Sequence, residues 1–304
     1  MENHSRFTQK VAILACLLLT CSTACGSRGI PDSLMYLSQP RPGLVPEVFA
    51  AGIVSLDNQV EFNITFTPDG MEIYFTVGTR TQTSIMFTRL ENGHWTEPEL
   101  APFSREYANW SPFISGDGQK LYFVSDRQPD ASSPRSDPNI WMVERTEKGW
   151  TEPKYLDEPI NSFDAEYTPF VASDGTLYFL SNRPGGYGQI DIYFSKLIDA
   201  EYSTAENIGE PINTQYSDEG MVMTQDGRYM ILTSNRPGTR GDVDLYIGIR
   251  NEDGSWQPPQ NLGDKFNTSS PQYAPRFSFD GKFFFFFSEG DMYWVDSKAL
   301  DEFK

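Results

Sequence analysis

Residues 167–195 read YTPFVASDGTLYFLSNRPGGYGQIDIYFS. Two short runs rich in aromatic and β-branched residues, 167–172 and 177–181, are joined through Ser173-Asp174-Gly175. Asp-Gly between two such runs marks a hairpin, because tight hairpin turns need positive φ. A third run, 191–196, follows a loop containing Pro184, Gly185, Gly186 and Gly188. Four relatives of this stretch begin at Phe62, Trp110, Glu219 and Tyr273. Their Asp-Gly pairs fall at Asp69-Gly70, Asp117-Gly118, Asp174-Gly175, Asp226-Gly227 and Asp280-Gly281, spaced by 48, 57, 52 and 54 residues. Strand-like repeats of about fifty residues are the signature of a propeller, one four-stranded blade per repeat.

Counting strands sets the blade number. The three-strand unit occurs five times, but a fourth-strand segment follows it only four times, at Trp95, Trp150, Tyr202 and Trp256. The missing one stands before the first repeat, at residues 44–50 (LVPEVFA). Paired with the last blade, it would close the ring and remove exposed sheet edges. The expectation is an all-β fold: a five-bladed β-propeller of four-stranded antiparallel blades over residues 44–304, closed by an N-terminal strand. The run Phe283 to Phe287 sits in a second strand and reads as inter-blade core.

The first 25 residues read as a targeting segment. Arg6 and Lys10 precede an apolar run, 11–19, too short to span a bilayer. All three cysteines, Cys16, Cys21 and Cys25, lie here, which leaves no disulfide or thiol chemistry for the body. Ser22-Thr23-Ala24-Cys25 followed by Gly26 resembles the lipobox of bacterial lipoproteins, with Ser22 where that motif usually carries Leu. The resemblance implies lipidation at Cys25 and a periplasm-facing protein, the outer membrane favoured because no Asp follows the cysteine. Cys21 fits less well, since Thr20 would precede it. Residues 26–43, with Pro31, Pro40 and Pro42, read as a tether.

The whole chain carries 24 Lys and Arg against 42 Asp and Glu; without Arg6, Lys10 and Glu2 the balance is 22 to 41, net −19. So acidic a surface repels phosphate backbones, which excludes nucleic acid as a partner.

Ser/Asn-Arg after the second strand, the Asp-Gly turn and Asp191-Ile192-Tyr193 opening the third strand resemble the WD40-like β-propeller repeat of the TolB type. Versions of that repeat in envelope proteins also carry the pattern seen at Ile160-Asn161-Ser162, Glu166 and Pro169. The resemblance implies an envelope location and leaves function open, since the family includes translocation-associated, peptidase-associated and lipoprotein members.

Three columns emerge when the repeats are aligned on Asp-Gly. Glu61, Asn109, Glu166, Asp218 and Gln272 form the first, and Phe62, Trp110, Tyr167, Glu219 and Tyr273 the second. Arg80, Arg127, Arg183 and Arg236 form a third, broken in the last repeat by Glu289-Gly290. Strand alternation places these columns on the face opposite the Asp-Gly turns, and by analogy with other propellers that face would hold the ligand. Polar groups backed by aromatics suit a glycan or peptide. The expected ligand-binding set is Glu61, Asn109, Trp110, Glu166, Tyr167, Asp218, Glu219, Tyr273, Arg183 and Arg236. A structural reading competes with it: each Arg would fork onto a carboxylate such as Asp191 or Asp244 and lock adjacent blades.

Enzyme chemistry is short of parts. His94 is the sole histidine beyond the leader and lies in a third-to-fourth-strand turn, which argues against a triad or a His-ligated metal. Gly185-Gly186-Tyr187-Gly188 leads into a strand, so it is a turn and not a phosphate loop. Asp242 and Asp244 are too few for calcium. No cofactor or metal is expected. The sequence favours a monomeric, non-enzymatic binding or scaffolding propeller for an envelope protein, peptide or glycan. The alternative is a glycoside hydrolase using paired carboxylates from Glu61, Glu166, Asp218 and Glu219.

Overall fold

In the computed structural model, which describes residues 31–56, 59–79, 82–129 and 137–304, five antiparallel sheets stand around one axis. Blade 1 runs through Glu61–Phe66, Glu72–Thr79, Gln82–Glu91 and an outer strand Glu99–Leu100. Blade 2 runs through Asn109–Ile114, Lys120–Ser125, Asn139–Thr146 and Lys154–Tyr155. Blade 3 comprises Glu166–Val171, Leu177–Ser181, Asp191–Ser195 and Glu206–Asn207. Blade 4 comprises Asp218–Met223, Tyr229–Ser234, Asp244–Ile249 and Gln260–Asn261. Blade 5 holds Gln272–Phe277, Phe283–Ser288 and Asp291–Asp296, and its outer strand is Glu47–Val48 from the other end of the chain. The N-terminal clasp read from residues 44–50 is therefore present, with Glu47 opposite Trp294 and Val48 opposite Tyr293.

The outer strands are only two residues long, and the reason is local. Pro46, Pro98, Pro153 and Pro259 stand immediately before four of them. Proline has no N–H to give to a ladder and is tolerated at a sheet edge. Trp95 and Trp150, read as the start of the fourth strand, instead extend a hairpin from the third.

The five inner strands neighbour each other around the ring, the first blade meeting the fifth. Each carries a bulge at its third residue. Asn63, Ser111, Thr168, Gly220 and Ala274 all have positive φ, between 44° and 54°. The bulge shifts the register against the second strand in every blade. Glycine occupies this left-handed position only in blade 4, so the other four blades hold a conformation that L-residues adopt at a cost.

Aromatic rings fill the gaps between blades. Phe283 and Phe285 face the cluster of Ile64, Phe66 and Trp294, whereas Phe284 and Phe286 pack with Phe266 and Leu300. The phenylalanine run thus serves two interfaces through strand alternation. Between blades 1 and 2, Arg145 forks onto Glu72 with Nη1···Oε2 at 2.9 Å and Nη2···Oε1 at 2.6 Å. Trp150 Nε1 donates to the Tyr74 hydroxyl of blade 1 at 2.8 Å.

The segment expected as a tether is packed from Met35 onward. Tyr36 and Leu37 are each 4% exposed, and the Tyr36 hydroxyl donates to Asp280 Oδ1 at 2.9 Å. Trp95 Nε1 donates to the Leu34 carbonyl at 2.7 Å, which fixes the segment to blade 1 as well. Burying an aromatic ring outweighs the ordering of a few residues, and hydropathy periodicity gives no sign of it in so short a stretch. The chain ends in a 3-10 helix, Ser297–Phe303, with Ala299 and Leu300 buried. Cys25 and the rest of the segment expected to be a leader lie outside the described residues, as do Arg80, Asp57 and Asn58.

Candidate functional site

The first column is not at the surface. Glu61, Asn109, Glu166, Asp218 and Gln272 each have 0% exposure. In blade 3, Glu166 Oε1 accepts from Ser162 Oγ at 2.6 Å, Ser181 Oγ at 2.9 Å and Arg183 Nη2 at 3.0 Å. Arg183 also donates from Nε to Ser181 and from Nη2 to the Ile160 carbonyl, and its guanidinium lies 5.1 Å from the Tyr193 ring. Blade 4 repeats the device. Arg236 Nη2 reaches Asp218 Oδ1 at 2.6 Å and the Ile212 carbonyl at 2.8 Å, above the Tyr246 ring. In blade 2 the same fork joins Arg127 to Asn109 and the Phe103 carbonyl.

These arginines therefore pair with the first column and not with Asp191 or Asp244. The latch ties the inner strand to the linker that enters its own blade, and blades are not locked to each other by it. Asp191 and Asp244 are occupied elsewhere. Asp191 accepts from the Tyr187 and Gly188 amides and from Asn207 Nδ2, which makes the glycine-rich loop a carboxylate-capped turn. Asp244 accepts likewise from the Arg240 and Gly241 amides and from Asn261.

Another recurrent residue contributes to the scaffold. Asn161 Oδ1 accepts from the Ile140 amide at 2.8 Å, and its Nδ2 donates to the Ile140 carbonyl at 2.9 Å. Asn213 does the same for Ile192 and Asn267 for Leu245. Each asparagine side chain acts as one more peptide group on the third strand, satisfying the amide that the short outer strand leaves open and giving the carbonyl, already bonded to an amide of that strand's segment, a second donor. So most of the repeated motif is consumed in building blades.

For two members of the first column no arginine fork is seen among the described residues, Arg80 of blade 1 lying outside them. Gln272 reaches Ser288, Thr268 and the Ser270 carbonyl, because blade 5 has no arginine at that place. Glu61 accepts a 3.4 Å bond from the Leu56 amide. Burial, with a smaller contribution from the Asp291 charge, pushes its carboxyl up to about 7. The second column, Phe62, Trp110, Tyr167, Glu219 and Tyr273, lies half-buried at the strand ends remote from the Asp-Gly turns. Phe62 and Tyr273 both pack on Phe287, with centroids 6.4 Å apart in each case. Glu219 Oε1 accepts from Ser217 Oγ at 2.6 Å.

The large cavity opens on the other face, among the Asp-Gly turns. Its volume is about 960 Å³, and all five blades contribute to it. The walls come from the last residues of the inner strands, including Ile114, Phe170, Val171, Val222, Met223 and Phe277. The charged lining residues are Asp117, Lys120, Asp226, Lys304 and Arg276. Asp117 and Asp226 belong to their turns. The Ser115 and Thr224 hydroxyls, followed in effect by backbone amides of the same turns, hold these carboxyls below their usual range. The cavity thus opens on the face opposite to the one expected to hold the ligand.

Arg276 is the exception among the channel-facing residues. Four places before each Asp-Gly the chain has Thr65, Phe113, Phe170, Val222 and Arg276. Arg276 is 2% exposed, and its Nε, Nη1 and Nη2 make no hydrogen bond among the described residues. Its guanidinium carbon stands 5.2 Å from the centre of the Phe113 ring, which itself packs edge-on against Phe170. Burial alone lowers its pKa to about 10. The sequence signal for it was available: a cation in an inner strand where the other four repeats carry Thr, Phe or Val.

No protein-family model matches the chain, and no curated protein matches it in sequence. Its structural neighbours include TolB proteins. One, described as TolB from Agrobacterium tumefaciens, aligns at a TM-score of 0.49 and 16% identity, over 76% of this chain and 70% of that one. TolB from Acinetobacter baumannii aligns at 0.49 and 16%, over 78% of this chain and 54% of that one. An alpha-L-arabinofuranosidase from Lactobacillus brevis aligns at 0.46 and 14%, over 76% and 87%. At these identities the likeness is one of fold.

Proposed function

We propose that this chain is a non-enzymatic ligand-binding propeller of the bacterial cell envelope, with its site in the axial cavity on the Asp-Gly face. The observation that carries the reading is the cavity itself: about 960 Å³, built by all five blades, with apolar walls and a set of polar and charged groups that includes Arg276. Ligand sites have this size and combine apolar walls with placed polar groups. The envelope location rests on the leader and on the resemblance of Ser22-Thr23-Ala24-Cys25 to a lipobox, with Cys25 as the lipid anchor.

The hydrolase alternative finds weaker support. A glycosidase needs one carboxyl kept protonated beside one that stays ionised. Asp117 and Asp226, the carboxylates lining the cavity, are both shifted toward the ionised form. Glu166 and Asp218 are buried in latches, and Glu61 sits in the same buried column at the far end of its strand.

The test is native mass spectrometry of the protein isolated from its own envelope. A co-purifying ligand should appear with the wild type and vanish with Ala172→Trp, which fills the cavity from its wall. An unchanged ligand load in that variant would move the site elsewhere. Hydrolysis of an oligosaccharide panel that disappears with Asp226→Asn would replace binding by catalysis. Incorporation of labelled palmitate that survives Cys25→Ala would remove the anchor.

A further inference from the structure

Glu166, Asp218 and Glu219 of the inner strands each have a partner in their own blade or linker, but Arg276 makes no hydrogen bond among the described residues. An isolated guanidinium in an apolar layer is costly, because no hydrogen bond or counter-charge offsets its lost hydration. Phe113 offers only its ring face. Among the described residues no carboxylate takes the place of the latch: the acids lining the cavity, Asp117 and Asp226, are held by Ser115 and Thr224 in their own turns. A residue this unfavourable in the free fold stands where a ligand could satisfy it.

The chemistry of the surroundings narrows the ligand. Arg276 supplies one positive charge and a planar fork of N–H donors, which matches one carboxylate. The other lining cations, Lys120 and Lys304, are not buried, and Lys120 follows the Asp117 turn. Asp117 and Asp226 add negative charge to the lining, which disfavours a dianion such as a phosphate monoester. Phe170, Val222, Met223 and Phe277 leave an apolar body as the complement of the walls. An inorganic anion would satisfy the guanidinium and leave those walls wet.

We infer that the axial cavity binds an amphipathic monocarboxylate, its carboxylate on the Arg276 guanidinium and its apolar body along the walls. The inference rests on the reading of the cavity as the ligand site and assigns the ligand's chemical class. Binding moves no covalent bond and needs no cofactor. The cavity volume admits a chain or ring system well beyond acetate, since about 960 Å³ far exceeds one small ion.

Calorimetric titration of the full chain with octanoate, octan-1-ol and sodium chloride tests it. Octanoate should bind saturably and about tenfold or more tighter than octanol, the gain expected of a charge-assisted hydrogen-bonded pair. Arg276→Met should reduce octanoate to the octanol level while raising the melting temperature of the ligand-free protein. Equal affinity of the acid and the alcohol for the wild type would overturn the inference, and that comparison needs no variant to fold. Heat and stabilisation saturated by chloride, with no gain from octanoate, would overturn it in favour of an inorganic anion site. If octanoate fails while Ala172→Trp still abolishes the native ligand, only the carboxylate assignment falls. If Ala172→Trp changes nothing, the cavity reading falls with it.

Discussion

Arg183 Nη2 lies 3.0 Å from Glu166 Oε1, and that carboxylate has no exposed surface. The pair closes the inner strand of blade 3 onto the linker that feeds it, since the same nitrogen also holds the Ile160 carbonyl. Glu166→Leu would strand a mostly buried guanidinium, and removing one partner of such a pair costs about 3 kcal/mol. Urea unfolding should show that loss, with much of it recovered in Glu166→Leu/Arg183→Met. Ligand affinity per folded molecule should not change; a lost ligand with unchanged stability would return Glu166 to the binding site.

Glu61 makes stability depend on pH in a direction opposite to most carboxylates. Its folded pKa of about 7 lies above the ordinary value of 4.5, so the folded state binds the proton more tightly. Stability from this group is full below the ordinary value and falls as pH rises through 7, by about 3 kcal/mol in all. Glu61→Gln should flatten the wild-type decline between about pH 5 and pH 8 in chemical denaturation. A decline that persists in the variant would assign it to another group.

The clasp depends on Phe49 as much as on two ladder residues. Phe49 is 0% exposed and meets Phe285 and Trp294 edge-on at 5.2 and 5.0 Å. Phe49→Ala should cost about 3–5 kcal/mol. It should also open blade 5 to proteolysis near residues 44–50 before the rest of the ring. Uniform digestion of all five blades would show that the clasp is not a separate unit.

Asn213 stands in for a peptide group beside Ile192. Asn213→Ala leaves the Ile192 amide without its partner, while the Ile192 carbonyl keeps the Ile208 amide, a loss of about 1–3 kcal/mol for the one buried group. Hydrogen exchange at the Ile192 amide should accelerate well beyond that of Leu245, whose partner Asn267 is untouched. Equal rates at both sites would argue that the outer strand, and not the asparagine, protects this edge.

The blade count was legible because each blade is built from local signals. Asp-Gly at Asp174-Gly175 specifies a turn whichever blade it serves, and the short apolar run at Leu177–Ser181 specifies a buried strand. The clasp was legible for the same reason, since Pro46-Glu47-Val48 has the form of Pro98-Glu99-Leu100. The partners of the columns were not. Glu166 and Arg183 are 17 residues apart in sequence, and Asp191 is nearer to Arg183. Only the bulge at Thr168 and the path of the linker through Ile160 decide that Arg183 turns toward the former.

The repeat alone, then, determined five blades, their antiparallel order, the N-terminal closure and the role of the phenylalanine run, because these follow from period, turn chemistry and alternation. The tertiary structure decided which face is open and which charges are spent. Both depend on side-chain volumes and partners that meet across the ring, from blades some fifty to two hundred residues apart. Where five copies agree, residues build the propeller; Arg276, the cation where four copies carry Thr, Phe or Val, joins the cavity lining only once the ring brings it against Phe113.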